Sequence, residues 1–187
     1  MNFSVSPARR YSGIAILLHW LIAGLIVWGF TLGWIMTDIP GITPTKLRYV
    51  AWHKWIGVTV FALVLVRILW RATHAAPALP ASMPRWEQRA AHLGHAALYL
   101  LMVAIPVTGY LFSSASGVPV VYLGIWQLPT LIGPDNTLKT VLRIAHITLD
   151  YTLFAVVIVH VLAVIKHQWF DRVNILARML PGRGARR

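Results

Sequence analysis

Two histidines in one apolar stretch, His146 and His160, are fourteen residues apart. In an α-helix, with about 1.5 Å rise and about 100° per residue, this spacing puts both imidazoles on one face, within about 40° and roughly 21 Å apart along the axis. Neutral imidazole is a good ligand for haem iron. One helix can therefore offer a ligand to each of two metal centres stacked along its length.

His19 and His53 lie in two other apolar stretches and are the candidates for the opposing ligands. Their depths pair His19 with His160 and His53 with His146. Two haems held in this way would pass electrons and would bind no dioxygen at the iron, because both axial positions are filled. The alternative is that these histidines only hydrogen-bond between helices. Four ionisable groups at matched depths in a bilayer favour ligation, because each one is costly there.

The composition restricts the class of protein and the kind of haem. The chain is 58% hydrophobic with a mean hydropathy of +0.67, which indicates a small integral membrane protein. Cysteine is absent, which excludes thiolate-bound iron–sulfur clusters and covalently attached c-type haem. The net charge of +12 comes from Arg and Lys at helix ends and in the C-terminal tail. That distribution favours contact with membrane lipid headgroups and argues against nucleic-acid binding.

Four apolar stretches are long enough to cross a hydrocarbon core, which takes roughly 20 helical residues. They lie near residues 11–36, 49–71, 90–113 and 140–166. The first is longer than the apolar region of a signal peptide and has no small-residue cleavage site, so we expect it to remain as a helix. Residues 170–180 mix apolar and basic side chains and predict a short interfacial helix. The predicted fold is all-α: one domain over residues 1–187, an integral membrane four-helix bundle that binds two b-type haems.

The distribution of Lys and Arg predicts the orientation, because positive residues concentrate on the cytoplasmic side. One side holds Arg9, Arg10, Arg67, Arg71, Arg85, Arg89, Lys166, Arg172, Arg178, Arg183, Arg186 and Arg187. The other side holds Lys46, Arg48, Lys54, Lys139 and Arg143. We therefore expect both termini to face the cytoplasm.

Several polar residues near the helix ends have open roles. Arg67 and Arg71 either extend to the membrane interface or bind haem propionates. His92 and His95 are three residues apart on one helix face, where they could contact a propionate, a quinone or lipid headgroups. Asp150, one turn from His146, could orient a polar group, relay a proton or form an interhelical hydrogen bond.

The predicted periplasmic side is unusually basic. Its five Lys and Arg are balanced only by Asp38 and Asp135. Such a field would draw small anions towards the outer haem. The alternative is that these cations balance haem propionates.

The motifs of the chain resemble those of the bacterial cytochrome b561 family, small four-helix di-haem proteins of the inner membrane. The resemblance covers nearly the whole sequence and rests on the segments Ile16-Leu17-Leu18-His19-Trp20-Leu21, His53 with Gly57, Arg67, Ala91-His92-Leu93-Gly94-His95, Tyr99, Pro106, Gly109, His146, His160 and Arg178-Met179-Leu180-Pro181. It implies that His19, His53, His146 and His160 are the haem ligands, in agreement with the depth argument.

The resemblance also implies an activity, since some members are similar to superoxide oxidases. Such enzymes take electrons from superoxide at the periplasmic face and pass them through both haems to ubiquinone. Lys139, Arg143 and Lys54 would then guide the anion, and His167 would lie beside the quinone headgroup. Two other functions fit the sequence. One is an electron-carrier subunit between the quinone pool and a partner dehydrogenase or hydrogenase. The other is a small transporter with a proton relay of Asp150 and the histidines.

Overall fold

The computed structural model describes residues 10–80 and 82–180. Five residues used in the sequence arguments lie outside the described residues: Arg9, Pro181, Arg183, Arg186 and Arg187.

Four long helices make up most of the described chain. They are α1 (Gly13–Asp38), α2 (Pro44–Thr73), α3 (Arg85–Ala115) and α4 (Asn136–Ile165). With 26, 30, 31 and 30 residues, each exceeds the roughly 20 residues needed to cross a bilayer. The predicted membrane bundle of four helices is confirmed.

Three of the helices begin at side-chain caps. Ser12, Thr43 and Asp135 each accept a hydrogen bond from a backbone N–H three residues ahead, which satisfies a donor that the first turn leaves free. Pro44 follows its cap at the first helical position, where its fixed φ suits the helix. These caps explain why α2 and α4 begin several residues before the apolar stretches do.

The helices pack in chain order, α1 on α2, α2 on α3 and α3 on α4. The core of buried residues contains Ile22, Val60 and Val64, and many large apolar side chains on the helices are exposed. Large rings join α1 to α4, since Phe30 and Phe154 have centroids 5.8 Å apart. Aromatic side chains therefore fill the space between these two helices at this level.

The bundle has two distinct ends. The terminal end holds the start of α1, the end of α2, the start of α3 and the end of α4. The hairpin end holds the other helix ends and a small antiparallel hairpin, β1 (Val121–Tyr122) with β2 (Trp126–Gln127). This hairpin was not predicted from the sequence. It is fixed to α2 because Trp55 Nε1 donates to the Val121 carbonyl at 2.7 Å.

The segment after α4 is less regular than the interfacial helix predicted over residues 170–180. A π-helix spans Lys166–Phe170, and a 3₁₀-helix spans only Leu176–Arg178. Arg172 between them has a φ of 55°, which ends the helical path. The segment folds back on the terminal end, where Trp20 Nε1 donates to the Met179 carbonyl at 2.7 Å. Tertiary hydrogen bonds therefore replace the helical ones here.

Candidate functional site

At the hairpin end, His53 of α2 faces His146 of α4. Their ring centroids are 6.2 Å apart and their planes are perpendicular. His53 Nδ1 lies 3.0 Å from the Gly29 carbonyl oxygen, and His146 Nδ1 lies 3.0 Å from the Ile105 carbonyl oxygen. Because a carbonyl can only accept, each Nδ1 must carry the proton. Both rings are thus held as the tautomer that leaves Nε2 available to bind a metal.

The separation of the two rings suits a shared metal ion. Two imidazoles on one ion, each with a metal–nitrogen distance of about 2.0–2.1 Å, have centroids roughly 6 Å apart. The His53–His146 separation of 6.2 Å matches this value. The donor set of two neutral imidazoles, each fixed by a backbone carbonyl, is the type that b-type haem iron takes. The residues present therefore fit the group.

Gly109 leaves the space that the His146 ring occupies. A Cβ built at Gly109 would lie 2.7 Å from His146 Cε1, closer than real side chains approach. On the facing side, a Cβ at Gly33 would lie 3.7 Å from His53 Cε1, an ordinary contact. The position of the His146 ring against α3 therefore depends on the absence of a side chain at residue 109.

Asp150 lies one turn along α4, as the sequence indicates, and its carboxylate approaches the same ring. Asp150 Oδ2 is 3.4 Å from His146 Nε2, the nitrogen that would bind a metal. A metal on that nitrogen requires the Asp150 side chain to turn away. Its side chain is 28% exposed, which leaves space for that rotation.

At the terminal end three histidines lie close together, whereas their depths in the sequence paired only two. The ring centroids of His19 and His160 are 6.5 Å apart, again close to the spacing of two imidazoles on one ion. His95 of α3 approaches His160 more closely, at 5.6 Å between centroids. The geometry thus brings together the predicted pair and adds His95 beside it.

A cavity of about 340 Å³ opens beside these rings. Its lining comes from α2 and α3 and consists of Ile68, Arg71, His92, His95, Ala96 and Tyr99. Arg71 also lies over the Tyr99 ring, 5.9 Å from its centroid. The cavity therefore combines an aromatic wall with cationic and imidazole nitrogens, a lining suited to a carboxylate or a carbonyl-bearing ring.

Arg67 has a different role in the fold. Its Nε donates to the Tyr99 hydroxyl at 3.0 Å and its Nη1 donates to the Ala15 carbonyl at 2.8 Å. These bonds join α2 to α3 and to α1 at the level of His19. Arg67 is therefore an interhelical connection, and its other guanidinium N–H groups stay candidates for a propionate.

The basic residues of the hairpin end are held in different ways. Lys54 Nζ donates to Ser113 Oγ at 2.7 Å, and Ser113 Oγ donates to the Val118 carbonyl at 2.5 Å. This chain of bonds anchors Lys54 beside His53. Lys139 and Arg143 are exposed on α4, ahead of His146.

His167 belongs to a cluster that was not predicted from the sequence. Its Nδ1 lies 2.7 Å from Asp171 Oδ2 and 3.8 Å from Glu87 Oε2, and Lys166 bridges both carboxylates. The hydrogen bond from Lys166 holds the pKa of the Asp171 carboxyl below its ordinary value. One clue was available in the sequence: the chain has only five acidic residues, so each of them needs an explanation.

Comparison with known proteins supplies the family. A model of the family described as prokaryotic cytochrome b561 matches residues 10–182. The chain belongs to this family. It is therefore a membrane b-type haem electron-transfer protein, with several helices in the bacterial inner membrane, and the resemblance inferred from its motifs is confirmed.

Curated members of the cytochrome b561 family align over most of the chain. Cytochrome b561 homolog 2 of Escherichia coli strain K12 is 30% identical over 180 residues, which are 96% of this chain and 95% of the relative. A probable superoxide oxidase, CybB of Yersinia pestis, is 27% identical over 177 residues, or 92% and 97% of the two chains. Cytochrome b561 homolog 1 of E. coli K12 is 25% identical over 175 residues, or 94% and 99%.

Proposed function

We propose that this cytochrome b561 holds two b-type haems in one domain, with His53 and His146 as ligands at the hairpin end and His19 and His160 at the terminal end. The observation that carries the proposal is the pair of facing imidazoles at each end, with centroids 6.2 and 6.5 Å apart. His95 is then a neighbour of the second centre. Its ring centroid is 5.6 Å from that of His160, and the choice of His19 as the ligand rests on the matched depths of His19 and His160.

When bound, such a haem supplies one-electron transfer. The chain prepares the ligands for it. The carbonyls of Gly29 and Ile105 fix the tautomers of His53 and His146, so Nε2 faces the metal without rearrangement. The apolar helices around the rings exclude water, which lowers the local dielectric constant around the ligands.

We propose that the terminal end faces the cytoplasm and the hairpin end the periplasm. The support is the distribution of Lys and Arg, twelve on the first side and five on the second. The two redox centres would then lie near opposite faces of the membrane and could connect a periplasmic electron donor to an acceptor on the cytoplasmic side.

The donor that best suits the hairpin end is superoxide. The support is the probable superoxide oxidase among the relatives, together with the exposed cations Lys139 and Arg143 and the anchored ammonium of Lys54 next to His53. A field of that sign attracts a small anion and speeds its arrival. In the proposed reaction, two superoxide ions each lose one electron to become dioxygen, while ubiquinone takes up two electrons and two protons to become ubiquinol.

The acceptor site is proposed at the terminal end, beside His160. His95 and Arg71 line the cavity there, and His167 lies in the π-helix that follows α4. Ubiquinone carbonyls would accept hydrogen bonds from imidazole or guanidinium nitrogens. Arg67 and Arg71 are also the proposed partners of the haem propionates, which accept charge-assisted hydrogen bonds from arginine.

The proposal is tested by following the haem absorbance of the purified protein. Superoxide generated by xanthine and xanthine oxidase should reduce the haem within the mixing time, and superoxide dismutase should abolish that reduction. Addition of a short-chain ubiquinone should then reoxidise the haem. The superoxide half of the proposal would be wrong if superoxide left the haem oxidised while ubiquinol still reduced it.

The exposed apolar hairpin favours a second candidate, an electron carrier for a partner dehydrogenase or hydrogenase. Ile125 and Trp126 are 88% and 69% exposed, and Leu123 is displayed at a φ of 54°. A contiguous apolar surface of this kind is typical of a docking site. In this case superoxide would reduce the haem slowly, and replacement of Ile125 and Trp126 by Ser would abolish reduction by the partner.

A further inference from the structure

A second cavity at the terminal end lies between the start of α1 and the segment that follows α4. It has a volume of about 280 Å³ and is lined by Arg10, Asn174, Ala177, Arg178 and Leu180. The first of these residues precedes α1, and the other four belong to residues 172–180, which we call the C-terminal strap. A water molecule takes up about 30 Å³, so the cavity has room for a group of several heavy atoms.

Hydrogen bonds fix the walls of this cavity. The Tyr11 N–H donates to the Arg178 carbonyl at 3.2 Å, and Arg10 Nη2 donates to the Leu180 carbonyl. The Arg178 side chain is buried, and its Nη2 donates to the Ala78 carbonyl, in the loop between α2 and α3, at 2.7 Å. The cavity is thus built where three segments of the folded chain meet.

The lining is cationic and partly apolar. Among the described residues, it contains two guanidinium groups, one side-chain amide and no carboxylate. Two guanidinium groups that share a cavity repel each other, and an anion between them offsets that repulsion. Guanidinium groups bind phosphate oxygens through charge-assisted hydrogen bonds, often in pairs. The apolar side chains of Ala177 and Leu180 suit the carbon atoms next to a phosphate.

The side-chain amide of Asn174 is oriented by the strap itself. Its Oδ1 accepts the Ala177 N–H at 3.2 Å. Because the oxygen is used in this way, the NH₂ group is the part of the amide that donates to a ligand. The polar side chains of the cavity therefore all act as donors, which is the pattern that an anion requires.

Exposed aromatic side chains place this cavity at the level of the lipid headgroups. Trp86, Trp169 and Phe170 are largely exposed at the same end of the bundle. Trp20 is also exposed, and its Nε1 donates to the Met179 carbonyl of the strap. Tryptophan is concentrated at membrane–water interfaces, where its ring lies against apolar groups and its N–H meets polar ones. The phosphates of one leaflet therefore lie near the depth of the cavity.

We propose that the cavity binds the phosphate group of an anionic phospholipid, such as phosphatidylglycerol, from the leaflet at the terminal end. Arg10 and Arg178 bind the phosphate oxygens, and the Asn174 amide donates to one of them. An anionic lipid is favoured over a zwitterionic one, because the ammonium group of a choline or ethanolamine headgroup is repelled by the same arginines. The inference concerns lipid binding and does not depend on the electron donor or acceptor.

The bound lipid also holds the strap on α1. Both neighbours of Met179 line the cavity, and the Met179 carbonyl accepts the Trp20 N–H at 2.7 Å. The Trp20 ring packs edge-on against the His19 ring, with centroids 5.2 Å apart. A phosphate that joins Arg10 to Arg178 adds a link across the cavity, so it should make opening of the strap less frequent.

Lipid binding is tested on the delipidated protein in detergent, mixed with phosphatidylglycerol or phosphatidylcholine. The lipid that co-elutes in gel filtration is quantified by mass spectrometry over a range of lipid concentrations. The wild type should show a saturable site for phosphatidylglycerol and none for phosphatidylcholine. Arg10→Gln and Arg178→Gln should each weaken phosphatidylglycerol binding about tenfold, because each removes hydrogen bonds between charged groups. Inorganic phosphate at the same concentrations should not displace the lipid, since it lacks the carbon atoms that contact Ala177 and Leu180.

Arg89→Gln is the matched control. It removes one exposed positive charge from α3 at the same end, and residue 89 does not line the cavity. This variant should bind phosphatidylglycerol as the wild type does. Hydrogen–deuterium exchange gives a second measurement. Phosphatidylglycerol should slow exchange over residues 172–180 in the wild type and in Arg89→Gln, and should have no such effect in Arg10→Gln.

Three results would overturn the proposal. Equal weakening in Arg10→Gln and Arg89→Gln would indicate a general attraction of anionic lipid to the basic surface. Displacement of the lipid by inorganic phosphate would assign the cavity to a free anion. Wild-type binding in both Arg10→Gln and Arg178→Gln would place the lipid elsewhere. Far-ultraviolet circular dichroism checks the fold, and if Arg178→Gln loses its helices, Arg10→Gln decides alone.

Discussion

The imidazole of His146 rests against the backbone of Gly109, so closely that a Cβ at residue 109 would lie 2.7 Å from His146 Cε1. The contact occurs at the place on α3 where the Ile105 carbonyl accepts the Nδ1–H of the same ring. One turn of α3 therefore both admits and orients this imidazole. The family motif Pro106 with Gly109 coincides with that turn.

Replacing Gly109 with Ala should displace the His146 ring and remove the haem of the hairpin end. Overpacking at such a site costs about 1–3 kcal/mol if the helices move apart instead. Haem per polypeptide, measured as the pyridine haemochrome, should fall from two to one.

Gly94→Ala on the same helix is the matched control, because a Cβ there meets nothing within 4 Å. That variant should keep both haems and melt at the wild-type temperature or slightly above it, since Ala favours a helix. Full haem content in Gly109→Ala would show that the ring is free to move, and would contradict the account of the glycine.

The ligand assignment predicts which histidines are dispensable. His53→Ala should lose one haem and keep the other, and His19→Ala should do the same at the opposite end. His74→Ala is the control, because that ring stacks on Trp70 at 3.7 Å at the end of α2. It should keep both haems.

His95 decides the pairing at the terminal end. If His19 and His160 share the iron, His95→Ala should keep a low-spin bis-histidine spectrum and alter only the midpoint potential. Loss of a haem in His95→Ala, with both haems retained in His19→Ala, would assign the iron to His95 and His160 instead. Far-ultraviolet circular dichroism checks that each variant keeps its helices.

Asp150 should tune the hairpin-end centre. A carboxylate near a haem stabilises the ferric form, which carries one more positive charge than the ferrous form. Asp150→Asn should therefore raise the midpoint potential of one haem by tens of millivolts and leave the other unchanged. Redox titration of the α-band measures both, and an unchanged pair of potentials would mean that the carboxylate lies far from the bound haem.

The sequence allowed the bundle to be predicted well because membrane spans depend on length and hydropathy, which are local properties. The proximity of His53 and His146 could also be inferred, because the rise per residue of a helix converts residue number into depth in the membrane. The position of His95 beside His160 could not, because it depends on the rotation of α3 about its own axis. Rotation is fixed by contacts such as that of Arg67 with Tyr99, and no local pattern encodes them.

In the C-terminal segment, a local sequence pattern predicts a structure that the fold does not adopt. Apolar and basic residues are mixed over 170–180 in a way that suits an interfacial helix, yet the chain turns at Arg172 and binds back to the terminal end. The cluster of Glu87, His167 and Asp171 lies just before that turn. Its members are up to 84 residues apart in the sequence, so only the tertiary fold brings them together.

The exposed cations of α4 should speed the arrival of superoxide. Lys139→Gln with Arg143→Gln removes two positive charges near the start of the helix that carries His146, so haem reduction by superoxide should slow about threefold to tenfold at low ionic strength. The difference from the wild type should shrink as salt is added, because the Debye length falls to about 10 Å at 0.1 M. Arg85→Gln with Arg89→Gln removes the same charge at the terminal end and should leave the rate unchanged. If the rate drops equally in both double variants, the effect comes from the net charge of the protein. Such a result would contradict a specific role for the local field at the hairpin end.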